Sequence, residues 1–235
     1  IEKNEVEGVV VGKDLYSSDL VVCNTDIYYI YNKLLPKKYS LKQQKNSERS
    51  SSAIIFYWGI DKIFDKLQLH NILFTQSYKN EFKHIRDGIS VYEDPTIYIN
   101  ITSKKKKSDA PKNSENWFVM INVPYNKDQD WDKLVMKSKK NIIKKINRVL
   151  NISIEDNIVC ENVIDPRNIE SETRSFKGAL YGTSSNTKAA AFFRHPNFSK
   201  DVKGLYFCGG SVHPGGGIPL CLLSAKIVSQ LIKNK

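Results

Sequence analysis

The chain has 235 residues, 40% of them hydrophobic and 11% aromatic, and carries a formal net charge of +11. That length allows one large domain or two modest ones with ample core; no apolar run reaches the ~18 residues of a spanning helix, and no signal peptide opens the chain. The lysines are spread along the sequence without a helix-turn-helix, zinc-finger or RNP-like pattern, which argues against nucleic acid as a partner and leaves an anionic membrane surface open.

Ile1 stands where an initiator Met is expected, so the chain reads as a fragment or a processed form. Cys23, Cys160, Cys208 and Cys221 are scattered with no CxxC, which predicts reduced, buried thiols in a cytosolic setting. His70, His84, His195 and His213 show no ligand spacing, so no metal site is expected.

Residues 1–26 read as two strands, Val6 to Val11 and Leu20 to Cys23, with Gly12-Lys13-Asp14 as the turn between them. A short helical pattern through Ile27, Ile30, Tyr31, Leu34 and Leu35 stops near Pro36, and the polar stretch after it reads as an exposed connection. Asn24-Thr25-Asp26 fits a cap for that helix. Residues 49–125 are β-rich: SAIIFYWGI, HNILFT, TIYINIT and WFVMINV have the β-branched and aromatic content of strands, with a short helix at Tyr78 to Ile85. Phe56, Tyr57 and Trp58 are either strand core or an aromatic wall for an apolar ligand. Lys104 to Lys107 read as a solvated loop, or as a contact with anionic lipid.

Residues 128–150 form the clearest amphipathic helix, with Trp131, Leu134, Val135, Ile142, Ile143, Ile146, Val149 and Leu150 at helical spacing and a lysine face read as solvated. A strand follows within residues 151–165. Near the C-terminus, Leu205 to Cys208 have the length of a buried strand, and a glycine-dense turn follows from Gly209 to Gly217. Pro219 then opens a helix that is apolar on almost every side and so is expected to be buried. Strand, glycine turn and helix together suit a bound anion or cofactor, because glycines let main-chain N–H groups approach a ligand and the helix dipole favours negative charge there.

The stretch from Gly204 to Ser224 resembles the C-terminal flavin-binding signature of the bacterial phytoene desaturase family, the FAD-dependent carotenoid desaturases. Gly204, Tyr206, Phe207, Gly209, Gly210, Ser211, His213, Pro214, Gly215, Gly217, Ile218 and Ser224 fall on the family pattern, while Val212 and Gly216 depart from it by small changes. The run Gly-Gly-Gly-Ile-Pro-Leu looks closer to the hydroxycarotenoid 3,4-desaturase branch. Further likeness lies in SDLVVCNTD at residues 18–26, in Tyr57-Trp58-Gly59, in Asp94-Pro95-Thr96-Ile97-Tyr98, in Asp109-Ala110-Pro111, and in Phe193, Arg194 and Pro196.

The resemblance implies a mixed α/β fold, the C-terminal portion of a two-lobed, Rossmann-like FAD-binding flavoprotein with a β-sheet substrate domain. Residues 1–26 and 151–235 would belong to the FAD-binding domain and residues 27–150 to the substrate domain. The implied cofactor is FAD, held by Gly209, Gly210, Ser211, His213, Gly216, Gly217, Ile218 and Pro219; the amides of Gly217 and Ile218 would face the flavin edge where charge collects on reduction. His213 and Arg194 are the candidate catalytic residues, and Asn24 and Asp26 would lie near the cofactor. The implied substrate is a carotenoid polyene, desaturated by a cytoplasmic enzyme associated peripherally with the membrane. An isomerase, saturase or oxygenase of the same family, or a cofactor-free membrane- or partner-binding fragment, shares the same motifs. No G-x-G-x-x-G follows a strand upstream of residue 200, so the chain reads as the C-terminal half and is expected to bind FAD weakly or not at all by itself.

Overall fold

The computed structural model describes residues 1–41, 48–184 and 194–234. It divides into two compact units, one of Ile1–Ser50 with Glu170–Lys235 and one of Ser51–Ile169. The class is mixed α/β, as expected. The partition differs from the sequence boundaries at 26 and 150. Ile27, Ile30, Tyr31 and Tyr39 are buried with Leu205 and Phe207 in the first unit, and the strand after residue 150 joins the sheet of the second.

In the first unit β1 (Gly8–Val11) and β2 (Asp14–Ser17) form an antiparallel hairpin in register Gly8↔Ser17 to Val11↔Asp14. The pattern pairs the first strand with Leu20 to Cys23 instead; the Asp and Ser that bound β2 read as turn residues. β3 (Val21–Cys23) pairs in parallel with β9 (Leu205–Phe207) in register Val21↔Leu205. α1 (Ile27–Tyr29) runs into a wider turn at Ile30–Leu34 and ends before Pro36. Of the connection beyond it, Tyr39 and Arg49 are buried, while residues 42–47 lie outside the described residues.

The second unit holds a five-stranded antiparallel sheet in the order β5-β6-β7-β4-β8. Its strands are β4 (Ser52–Ile60), β5 (His70–Leu73), β6 (Ile97–Asn100), β7 (Glu115–Val123) and β8 (Ile158–Ile164). α2 (Tyr78–Asp87) lies between β5 and β6 in sequence, α3 (Trp131–Leu150) between β7 and β8, and α4 (Pro166–Thr173) follows β8. Period-2 alternation puts Ile54, Phe56, Trp58 and Ile60 of β4 and Trp117, Val119, Ile121 and Val123 of β7 on one face, in one core with Trp131, Ile142 and Ile146 of α3. Asp130 caps α3 by accepting from the Lys133 amide, so this helix starts three residues beyond the expected 128, and Asn151 ends it in the left-handed conformation.

Two lysines read as solvated are inside. On α3, Lys145 lies among the residues that face the core; it is buried, donating to the Pro95 carbonyl at 2.8 Å and pairing with Asp94 at 2.9 Å. Lys104 turns in from its loop to Glu115 at 2.6 Å and to the Phe64 carbonyl at 2.7 Å. Glu115 also accepts from the Phe64 amide at 3.1 Å and from the Trp117 indole N–H at 2.8 Å. Both of its oxygens accept hydrogen bonds, which is what makes a buried carboxylate tolerable. The thiols also differ from expectation: Cys160 is exposed and the other three are only partly covered.

Glu115→Ala leaves the Lys104 ammonium and two N–H donors without their acceptor. We expect it to destabilise the Ser51–Ile169 unit by about 3 kcal/mol, read as a lowered urea midpoint with an unchanged slope. A midpoint equal to that of the parent protein would show that the network contributes nothing.

Candidate functional site

The glycine turn of the first unit is built on β9. The Cys208 amide donates to the Cys23 carbonyl at 3.0 Å and extends the parallel ladder by one bond. Beyond it the chain leaves the sheet through Gly209 (φ 107°), Gly215 (φ 135°) and Gly217 (φ 99°), all in conformations that side chains resist. The His213–Pro214 peptide is cis.

Two side chains hold this turn by its carbonyls. Asn197 is buried, and its amide nitrogen donates to the Phe207 carbonyl at 3.1 Å, the His213 carbonyl at 2.8 Å and the Ser224 hydroxyl at 2.9 Å. Ser224, fully buried on α5 (Ile218–Lys233), in turn accepts from the Gly209 amide at 3.2 Å. Arg194 donates from one terminal nitrogen to the carbonyls of Tyr181 (3.1 Å) and Gly210 (2.9 Å), and from the other to Thr183 (3.1 Å). Its half-buried setting works against the guanidinium's charge. A Cβ at Gly215 would come within 3.2 Å of the Arg194 Nε, so a glycine there lets the arginine lie flat on the turn.

The expected site residues separate into groups. Gly216 and Arg194 line a cavity of about 390 Å³ together with Pro214, Gly215, Leu220, Tyr181, Thr183 and Ser50. Gly210 packs inside the turn, where a Cβ would meet the Gly216 Cα at 3.2 Å. Ser211 is turned toward α1 and accepts from the Ile27 amide at 3.0 Å. His213 is exposed, and its imidazole has no partner among the described residues. Gly217, Ile218 and Pro219 form the first turn of α5. That turn has no side-chain cap, and a Cβ at Gly217 would meet nothing within 4 Å. Among the described residues, the amides of Gly216, Gly217, Ile218 and Leu220 find no protein acceptor, and the first amide of this turn to be satisfied is that of Cys221, on the Gly217 carbonyl. Tyr181 packs against Gly216, but the backbone at Gly217 is uncovered, and four open N–H groups there fit an electron-rich ligand edge.

α5 itself is not buried as expected. Ile218 is 79% and Leu222 67% exposed, and only Ser224 and Val228 are fully covered. Within this unit β3, β9 and the glycine turn can cover one line of a helix that is apolar almost all round.

Asp26, rather than Asn24, caps α1, accepting from the Tyr28 amide at 2.8 Å. Its second oxygen is buried without a partner, and burial pushes its carboxyl above the usual carboxylate range. That oxygen lies near Gly182, where an added Cβ would sit 3.8 Å from it. His195, between Arg194 and Pro196, binds the Pro196 carbonyl at 2.8 Å, and burial pushes its imidazole down. Phe193 lies outside the described residues. Sequence reasoning missed Asn197, Tyr181 and Thr183. Asn197 carries no local signal, since its three partners are 10 to 27 residues away.

In the second unit the aromatic cluster divides. Phe56 and Trp58 are core, and only Tyr57, 41% exposed, faces the other way. There its ring meets Phe118 edge-on at 5.5 Å, and Phe118 meets Tyr98 at 6.1 Å. No helix among the described residues is long and apolar enough to cross a membrane.

No family model matches the chain. Curated relatives do: it is 56% identical over 231 residues to a 1-hydroxycarotenoid 3,4-desaturase of Flavobacterium sp. (strain P99-3), covering 98% of this chain and 47% of that protein. It is 32% identical to a 4,4'-diapophytoene desaturase of Staphylococcus haemolyticus, covering 95% of this chain and 47% of that one. It is 31% identical to a phytoene desaturase of Neurospora crassa, covering 93% and 38%. Among solved structures, an oxidoreductase from Methanosarcina mazei superposes with a TM-score of 0.59 at 13% identity over 98% of this chain and 47% of that one, a likeness of fold. The chain spans about half the length of the curated relatives it matches. Over that half, with its glycine turn and five-stranded sheet in place, the chain is similar in sequence to carotenoid desaturases.

Proposed function

We propose that this chain is the part of an FAD-dependent carotenoid desaturase that holds the flavin edge and seats an apolar polyene. The observation that carries the reading is the uncapped first turn of α5, where the amides of Gly216, Gly217, Ile218 and Leu220 have no protein acceptor among the described residues. The relatives' names support the substrate class, and the one at 56% identity favours a hydroxylated carotenoid.

When bound, FAD supplies the acceptor for the two electrons that leave the polyene as hydride. The chain's own residues supply the setting. Gly216, Gly217, Ile218 and Leu220 would hold the flavin edge on which negative charge collects, with the positive end of the helix dipole behind them. Gly209, Gly210 and Ser211 give the turn its shape, and Pro219 fixes the start of the helix. Arg194 holds three carbonyls and brings a positive charge to the turn. The carbon next to the one that loses hydride gives up a proton, and exposed His213 is the base this chain offers for it. In this reading the unit of Ile1–Ser50 and Glu170–Lys235 carries the cofactor contacts. The unit of Ser51–Ile169 carries the polyene contacts on the sheet face of Tyr57, Phe118 and Tyr98. The enzyme works in the cytoplasm at a membrane surface, where exposed Lys105, Lys106, Lys107 and Lys112 meet anionic lipid, each adding about 1 kcal/mol.

The test uses the complete protein that carries this chain, purified with its flavin. Gly217→Val adds a branched side chain at φ 99° beside the open amides and should lower bound flavin, read by visible absorbance, at least tenfold. Undiminished flavin and an unchanged reduction rate would remove these residues from the cofactor site. Arg194→Met should destabilise the turn by about 1–3 kcal/mol, since three carbonyls lose a charged donor, and should weaken flavin retention severalfold. Expression with a hydroxylated acyclic carotene should yield the product with one more double bond; its absence with every carotene tried, in protein that retains flavin, would refute the desaturase assignment.

A further inference from the structure

The face of the sheet opposite the core is unlike a solvent-facing one. Antiparallel sheets with a wet side normally show polar and charged residues there. On this face the five strands place Ile55, Tyr57, Ile72, Tyr98, Phe118, Met120 and Ile164 beside His70 and small and amide residues, and no Asp, Glu, Lys or Arg falls on it. This absence of charge is set in a protein that is 26% charged overall. The aromatic rings form a row across the strands, from Tyr57 on β4 through Phe118 on β7 to Tyr98 on β6. At the β5 edge the row ends in His70, whose ring stacks on Tyr98 with a centroid separation of 6.1 Å.

That end is polar, and its polarity is oriented. The Nδ1 of His70 lies 2.8 Å from the Tyr98 hydroxyl and 3.2 Å from the Asn100 side-chain nitrogen. An amide nitrogen only donates, and Nδ1 facing it must accept; the Tyr98 hydroxyl then donates to the same lone pair. The neutral ring therefore keeps its proton on Nε2. Histidine 70 is exposed, and its Nε2 has no acceptor among the described residues. The result is one fixed N–H donor at the end of an uncharged aromatic row.

We infer that this face seats a polyene bearing a hydroxyl near one end, and that His70, held in register by Tyr98 and Asn100, donates from Nε2 to that hydroxyl oxygen. The inference rests on the desaturase reading for the polyene and adds the feature that selects among polyenes. The aromatic row offers an apolar ligand area without demanding hydrogen bonds, so chain length alone gives little discrimination. A donor that must find an acceptor does discriminate, because a ligand lacking the hydroxyl leaves it covered and unpaired.

The experiment measures, on the complete protein, the dissociation constants of two acyclic carotenes identical except for one terminal hydroxyl. Both are delivered in cyclodextrin and read by quenching of intrinsic fluorescence, with product formation followed in parallel. The parent protein should bind the hydroxylated carotene about tenfold more tightly. His70→Leu should bring that ratio close to one, with the hydroxylated carotene bound more weakly and the plain carotene bound no more weakly than by the parent, since no donor is then left unpaired. Tyr98→Phe, which removes one partner of Nδ1, should lower the ratio partway, and His70→Gln, which keeps an N–H donor, should retain a severalfold preference. An unchanged ratio in His70→Leu overturns the inference. So does an equal loss of both carotenes, the result expected if protein rather than ligand covers this face. Correct preference without product would instead overturn the desaturase reading and leave this one standing, whereas product formation with a ratio indifferent to His70 would do the reverse.

Discussion

The glycine turn depends on side chains that bind carbonyls. Asn197 and Arg194 are donors, and between them they occupy the oxygens of Phe207, His213, Tyr181, Gly210 and Thr183. These carbonyls are thus satisfied by side-chain donors, and among the described residues the amides at the start of α5 are left without protein acceptors. Had the turn been closed by acceptor side chains, as in an ordinary capped helix, those N–H groups would be used up. The choice of donors over acceptors separates a turn that merely reverses the chain from one that can receive an anionic edge. Ser224 shows the same economy: it accepts from the Gly209 amide at the β9 end and leaves the helix start alone.

Much of this was legible in the sequence, for physical reasons that differ from place to place. The strands β4 to β7 are dense runs of β-branched and aromatic residues, and no other local structure suits them. α3 announces itself by period and by its Asp130 cap. The glycine density before Pro219 points to a backbone that needs positive φ. What stayed hidden were the pairings. β2 carries turn residues at both ends, and its partner is settled only by register with β1. Asn197 looks like any polar residue in a loop until its three acceptors gather around it. Exposure of α5 was misread because an apolar helix signals a need for cover without naming what covers it.

Charge followed a similar rule. A lysine is read as solvated because burying it is costly, yet Lys145 and Lys104 are inside, each with a carboxylate and a carbonyl in reach. Apart from Glu115, which follows Lys104 by 11 residues, their partners lie 40 or more residues away, so local sequence does not show the compensation. The same logic applies in reverse to the open sheet face. Its lack of charge is invisible in a composition so rich in lysine, and emerges only when alternate residues of five strands are sorted to one side.

The parallel pairing of β3 with β9 joins positions about 180 residues apart, and such closure is entropically costly and slow to find. The unit of Ser51–Ile169 is contiguous in the chain and is synthesised in full before β9. Its sheet is therefore free to assemble early, while Val21 to Cys23 wait as an unpaired edge. Closure of the glycine turn, which is built on β9, therefore follows assembly of the sheet, and the exposed valines of the β1–β2 hairpin precede it in the chain.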